Sequence, residues 1–150
     1  SIPAFCQPNP VPGDLTAVAE VIAATGPAQY PELPTAVGFC MAIARKAIDQ
    51  VGLFDVELFG KGYGEENDFS MRVAGQGMSN VLCYDVYVEH VGGCSFGPTG
   101  LKPGEESMRR LLSRHPGYLE QVQEFIAADP LAERRNTLIR ALQGAGVRIG

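Results

Sequence analysis

Proline and glycine interrupt this chain at short intervals and thereby decide where its helices and strands can begin and end. The 150 residues include 18 glycines and 11 prolines. Proline cannot continue a helix, and glycine adopts backbone angles that other residues avoid, so both mark the ends of elements. Between these interruptions the apolar residues recur at helical spacing. Helices are predicted over 15–25, 45–51, 65–74, 105–115, 117–128 and 131–143.

Two segments are predicted as strands. In residues 35–44, bulky apolar side chains alternate with small ones, as in a strand with one face against a core. The small face, which includes Gly38 and Cys40, would let a packed helix or a ligand approach the backbone closely. Residues 81–88 alternate less regularly and are predicted as one broken strand or two short ones. Leu53, Phe54, Leu58 and Phe59 are interpreted as apolar anchors in a loop.

Composition excludes several classes of protein. Hydrophobic residues make up 45% and charged residues 19%, which fits one folded domain rather than a disordered tail. The net charge of −5 disfavours a nucleic-acid surface, which needs a basic stripe. The sequence has no run of about twenty apolar residues, so no membrane span is predicted. Prolines interrupt the start of the chain, where a signal peptide would lie.

The cysteines indicate the cellular compartment. None of Cys6, Cys40, Cys83 and Cys94 forms a C-x-x-C pair, which argues against a structural zinc site. Cys40 and Cys83 lie in apolar runs and are predicted to be small buried residues. Reduced thiols and a cytoplasmic location are therefore expected, with any membrane association arising through other parts of a longer protein.

The sharpest chemical feature is an acidic helix start that follows a glycine-rich loop. The segment reads G-Y-G-E-E-N-D-F over 62–69, so Glu65, Glu66 and Asp68 share the first turn. A helix N-terminus favours the ionised form of a carboxylate, which a general base requires. The same pattern also fits a well-capped helix whose acids face water. Asp68 and Arg72 are four residues apart and could pair on the surface.

Histidines and glycines near this segment allow further interpretations. His90 precedes the glycine-rich segment 91–104 and could be a metal ligand or a structural histidine. His115, which precedes Pro116, is predicted to lie on the surface. Neither glycine-rich loop matches a P-loop or a dinucleotide fingerprint, so both of these phosphate sites are rejected.

Four segments, taken in order, resemble the second half of the catalytic domain of family 2 glycosyltransferases. They are T-A-V-G-F-C-M-A-I-A-R-K-A, V-G-L-F-D, F-G-K-G-Y-G-E-E-N-D-F-S-M-R and V-E-H-V-G-G-C-S-F-G, which lie between residues 35 and 97. The helical segment after them resembles, more loosely, extensions of polysaccharide-assembling members. The resemblance implies a partial GT-A-like α/β fold, with a small mixed sheet flanked by helices and a helical C-terminal tail. It also implies an acceptor-side half over 1–104 and a helical extension over 105–150.

The resemblance further implies an inverting sugar transfer. A nucleotide-sugar donor, with Mg²⁺ or Mn²⁺ on its diphosphate, would donate a sugar to a saccharide acceptor in polysaccharide or cell-surface glycan synthesis. Glu66 matches the family's base, with Glu65 and Asp68 as alternatives, and His90 matches a histidine that approaches the metal. The remaining residues implied to bind substrate are Gly38, Cys40, Gly62, Tyr63, Gly64 and Arg72.

One departure from the family leaves alternatives open. The donor-binding half with its D-x-D motif is missing, so the chain is expected to be part of a longer enzyme, to be inactive alone, and to expose apolar surface that could support a homo-oligomer. The two loops, over 57–64 and 91–104, are expected to be mobile without donor. The alternatives are a carbohydrate-binding or assembly module without chemistry, and a metal hydrolase that uses Glu66 and His90.

Overall fold

The six predicted helices are confirmed, a seventh short helix was not predicted, and the sheet is much smaller than expected. In a computed structural model, residues 4–5, 9–26, 30–60, 63–90 and 104–149 are described. Within them the fold is mixed α/β and mostly helical, with seven helices and one two-stranded sheet. The helices are α1 (Leu15–Ala24), α2 (Arg45–Val51), α3 (Val56–Phe59), α4 (Glu65–Gly75), α5 (Glu105–Arg114), α6 (Tyr118–Ala128) and α7 (Ala132–Gly144). The strands are β1 (Glu32–Leu33) and β2 (Asn80–Val81).

The helix ends carry the caps that the sequence indicates. Asp14 accepts a hydrogen bond from the Ala17 amide at 2.9 Å and so begins α1. Gly52 ends α2 with a φ of 79°, a conformation that glycine adopts without a Cβ penalty. The predicted loop around 53–59 instead contains α3, which Asp55 begins by accepting from the Leu58 amide at 2.9 Å.

Both strand predictions are largely wrong. Residues 35–44 form turns and extended chain, because their backbone groups bond locally or to a helix rather than to a neighbouring strand. The Ala36 amide donates to the Ser70 hydroxyl on α4 at 3.1 Å, and the Cys40 amide reaches the Val37 carbonyl at 3.5 Å. Of residues 81–88 only Val81 lies in a strand. In place of a mixed sheet, the described residues have a single antiparallel pairing, β1 with β2.

The chain divides into two compact units. The first contains Ser1–Pro31, Leu82–Glu89 and Ile126–Gly150, and the second contains Glu32–Val81 and His90–Phe125. The first unit has a core of Val18, Ile22, Leu138 and Leu142 between α1 and α7. The second unit has two buried clusters, Ala47 with Phe69 and Val73, and Phe59 with Leu111 and Tyr118. The domain division at residue 104 stays a prediction.

Two sequence predictions about side-chain exposure are wrong, those for the cysteines and for His115. Cys40 and Cys83 are exposed free thiols, because the segments around them are turns and not core strands. The His115 side chain is only 14% exposed, because it hydrogen-bonds to a buried carboxylate described below. Among the described helices, none has the length and apolar character needed to cross a bilayer.

Candidate active site

The acidic segment is positioned by an unusual backbone turn. Tyr63 and Gly64 both have positive φ, 74° and 112°, and Gly64 is the residue that caps α4. A Cβ on Gly64 would lie 3.0 Å from the Phe59 ring, so the turn needs both the backbone freedom and the small size of glycine. The helix therefore starts directly at Glu65, with Glu65, Glu66 and Asp68 in its first turn.

Replacing Gly64 with alanine is expected to destabilise the second unit by about 2 kcal/mol, because a positive φ and the Phe59 contact both oppose a Cβ. Chemical denaturation measures the change. Gly75→Ala is the matched control, since a Cβ there meets nothing within 4 Å and φ is not positive. Equal stability of the two variants would contradict this account of the turn.

Glu66 lies against the backbone of the segment predicted to border the sugar. Its Oε2 accepts a hydrogen bond from the Gly64 amide at 3.2 Å. Its Cβ and Cγ would be 3.4 Å from a Cβ built on Gly38, so the missing side chain of Gly38 makes room for Glu66. The close approach expected at this small-residue segment is thus made by a side chain of the packed helix α4.

Tyr118 lies close enough to Glu66 to interact with it electrostatically. Tyr118 is 9% exposed and packs with Phe59 and Leu111. Burial raises the pKa of the Tyr118 hydroxyl, a hydrogen bond with the Thr35 side chain opposes that rise, and the Glu66 carboxylate adds to it. The Tyr118 phenol is therefore neutral at ordinary pH.

Glu65 occupies a different environment from its neighbour. Its Oε2 is buried and has no hydrogen-bond partner among the described residues. Burial raises the pKa of the Glu65 carboxyl, a hydrogen bond from its own backbone amide opposes this, and the Glu66 charge adds to the rise. Two adjacent carboxyls thus have unlike surroundings.

Asp68 points away from Glu66 into a cluster of cationic groups. Residues two apart on a helix project about 200° apart around its axis, so Glu66 and Asp68 lie on opposite faces. The Asp68 side chain is 0% exposed and contacts Arg72 Nε at 2.8 Å, Arg114 Nη1 at 3.1 Å and His115 Nε2 at 2.8 Å. Burial opposes ionisation, but the hydrogen bonds from His115, Arg72 and Arg114 outweigh it and lower the pKa of Asp68. Asp68 therefore anchors α4 to the end of α5, and a catalytic role for Asp68 stays a prediction.

Arg72 is occupied by the protein itself. Besides Asp68, its guanidinium donates to the carbonyls of Val51 and, at 2.9 Å, Leu53 at the end of α2. Its side chain is 20% exposed. These contacts explain why α2 and α4 pack together, and a contact of Arg72 with substrate stays a prediction.

His90 stacks on an aromatic ring next to Gly38. The rings of Phe39 and His90 are parallel within 7°, with centroids 4.6 Å apart. Phe39 is 49% exposed, and His90 and Cys40 are also exposed. The structure thus places Gly38, Glu66 and the Phe39–His90 stack in one neighbourhood, linked through the chain at 38–39.

The resemblance implies a metal near His90 only in the presence of the donor-binding half. Within the described ranges, no group of three or more His, Cys, Asp or Glu side chains could hold a metal ion. A role for His90 at a metal therefore stays a prediction. Gly62 and most of the segment 91–104 lie outside the described residues, so the predictions made for them are untested.

No protein-family model, curated protein or solved structure matched this chain. The interpretation of the site therefore depends on the geometry of its own residues.

Several residues around the acidic helix start were not predicted from the sequence as part of the site, namely Thr35, Phe39, His115, Arg114 and Tyr118. No local spacing signals them, because each is brought to the site by a fold contact distant in sequence.

Proposed function

We propose that this chain carries the acceptor side of an inverting glycosyltransferase and that Glu66 is its general base. The observation that carries the proposal is the position of the Glu66 carboxylate. It lies at a helix N-terminus and against Gly38, which leaves room for it and precedes the exposed Phe39 in the chain. Carboxylates in such surroundings serve as bases in proton transfer.

The chemistry follows from these positions. Glu66 would take the proton of an acceptor hydroxyl as that oxygen attacks the anomeric carbon of a nucleotide-sugar. The bond from the anomeric carbon to the diphosphate oxygen would break, the nucleoside diphosphate would leave, and the configuration would invert. Glu65 is the poorer candidate because its Oε2 atom is buried, which leaves that carboxyl less accessible to an acceptor hydroxyl.

The donor-binding half would be supplied by further sequence. The test is transfer of a labelled sugar from nucleotide-sugar donors to saccharide acceptors, measured on this chain joined to such a half. Absence of transfer with every donor and acceptor offered would overturn the proposal. Strong transfer by the 150-residue chain alone would overturn the need for a second half.

The exposed Phe39–His90 pair favours a second candidate, a carbohydrate-binding module without chemistry. Flat aromatic surfaces that face solvent can pack against the apolar face of a sugar ring. The two functions share the acceptor site and differ in the role of Glu66. A module would bind saccharide, and the loss of the Glu66 charge would leave any transfer by the longer protein unchanged.

Replacing Phe39 with alanine is expected to weaken saccharide binding about tenfold, because the stacking surface is lost. Titration of an acceptor oligosaccharide, followed by fluorescence or calorimetry, measures the change. Tyr30→Ala removes a comparably exposed ring, 50% against 49%, from the other unit and should leave binding unchanged. Equal affinity of the two variants would exclude Phe39 from the site.

A further inference from the structure

A concave surface in the same unit is lined by neither Glu65 nor Glu66. It has a volume of about 460 Å³ and is lined by Leu58, Arg109, Arg110, Ser113 and Arg114. Its volume falls within the range of small-molecule sites, about 300–1,000 Å³. The four α5 residues recur at i, i+1, i+4 and i+5, which places them on one face of the helix. Leu58 adds the edge of α3.

The lining is basic and contains no carboxylate. The side chains of Arg109, Arg110 and Arg114 are 71%, 42% and 38% exposed. Guanidinium groups carry five N–H donors each and cannot lose their charge in proteins. The concavity therefore presents a set of permanent cations together with the Ser113 hydroxyl.

The acids that contact these arginines leave donors available. Glu106 contacts Arg109 Nη2 at 2.6 Å and Arg110 Nε at 2.9 Å. Asp55 and Asp68 both contact Arg114 through a single nitrogen, Nη1, at 2.9 and 3.1 Å. Asp68 is also shared with Arg72, so four arginines are set against three carboxylates in this network.

Two of the arginines are held in place. Arg110 Nη1 donates to the Leu58 carbonyl, and Arg114 is fixed by its two carboxylates. A side chain already ordered by the protein loses less conformational freedom when it binds a ligand. This arrangement therefore reduces the cost of binding an anion.

We propose that this arginine concavity binds a phosphate group. Planar guanidinium forks match the tetrahedral oxygens of phosphate and give charge-assisted hydrogen bonds, and the hydroxyl of Ser113 adds a neutral donor. The apolar edge at Leu58 suits the organic part of a phosphate ester. The phosphate could belong to a soluble ester or to a phospholipid headgroup, which share this chemistry.

Titration of the full chain with inorganic pyrophosphate and with a sugar phosphate tests the proposal, with the α5 backbone amides followed by NMR. Saturable shifts in 105–114 are expected. Arg109→Ala should weaken binding about tenfold, since a charge-assisted contact is lost. Arg109→Lys keeps the positive charge but loses the paired N–H donors of the guanidinium group. Its affinity for the ligand should therefore lie between that of the wild type and that of Arg109→Ala. Arg109 suits this test because its one described contact is with an exposed glutamate.

Arg45→Ala is the control, because it removes the same charge from an exposed position on α2 in the same unit. It should bind pyrophosphate like the wild type. Flotation with phosphatidylcholine vesicles, with and without phosphatidylglycerol, separates the two sources, since only a headgroup site gives Arg109-dependent flotation. The proposal is overturned if no ligand gives saturable shifts and vesicles do not bind, or if Arg109→Ala and Arg45→Ala weaken binding equally.

Discussion

Replacing Glu66 with glutamine is expected to lower sugar transfer by about 10²- to 10⁴-fold, the contribution of a positioned general base. Glutamine has nearly the same shape but cannot take a proton from an acceptor hydroxyl. Its amide oxygen can still accept the hydrogen bond from the Gly64 amide, so the helix start should be retained. The measurement is kcat for transfer by the chain joined to its donor-binding half.

Two further variants test whether the expected loss of kcat is specific to the Glu66 carboxylate. Glu124→Gln, at an exposed position of α6, should leave kcat unchanged. Glu65→Gln should lower kcat less than Glu66→Gln, because the Oε2 atom of Glu65 is buried and less accessible to an acceptor hydroxyl. A larger loss for Glu65→Gln would move the base to that residue. Unchanged kcat in both variants would support a binding module.

Acceptor binding separates chemistry from recognition. A base acts on the proton and contributes little to holding the sugar, so Glu66→Gln should keep the affinity for acceptor within about threefold of the wild type. Phe39→Ala should do the reverse and raise KM more than it lowers kcat. If Glu66→Gln abolished acceptor binding, the carboxylate would be a binding group.

The helices could be predicted from sequence because their signals are local. Asp14, Gly52 and Pro130 lie at or next to the ends they specify, and the predicted and observed bounds agree within about two residues. The short helix α3 was missed, since a single turn shows no periodicity. Its signal was Asp55 three residues before Leu58, the spacing of a helix cap.

The strand predictions failed because alternating bulky and small side chains do not require the backbone to pair with a neighbouring strand. Residues 35–44 alternate bulky and small side chains, yet Met41 and Ile43 pack on the core of α2 and α4 while Val37 and Phe39 stay exposed. In place of strand pairing, the Ala36 amide donates to the hydroxyl of Ser70 on α4, which is 34 residues away in sequence. Local pattern holds no information about such a partner.

The candidate site was predictable only in part. The acidic helix start and its glycines were evident, but the different roles of its acids depend on what surrounds them. Helical geometry alone already predicts that Glu66 and Asp68 lie on opposite faces of α4. That Asp68 faces Arg114 and His115, 46 and 47 residues away, could not be read from the sequence, and it reverses the expectation that His115 lies on the surface.

Replacing Asp68 with asparagine should destabilise the second unit by about 3 kcal/mol, because removing one partner of a buried ionic cluster leaves the others without compensation. Arg72, Arg114 and His115 would then face an amide that carries no charge and presents two N–H donors. Urea unfolding followed by circular dichroism measures the loss. Asp49→Asn, at an exposed position on α2, is the matched control and should stay within about 0.5 kcal/mol of the wild type.

The pH dependence of this difference identifies its electrostatic origin. Since the folded pKa of Asp68 lies below the ordinary value, its ionic contacts contribute fully above about pH 4 and are lost as pH falls through the folded pKa. Asparagine does not titrate, so the gap in unfolding free energy between wild type and Asp68→Asn should be widest near neutral pH and narrow below about pH 4. A gap that stays constant over this interval would mean that the loss comes from packing and not from the charge of Asp68.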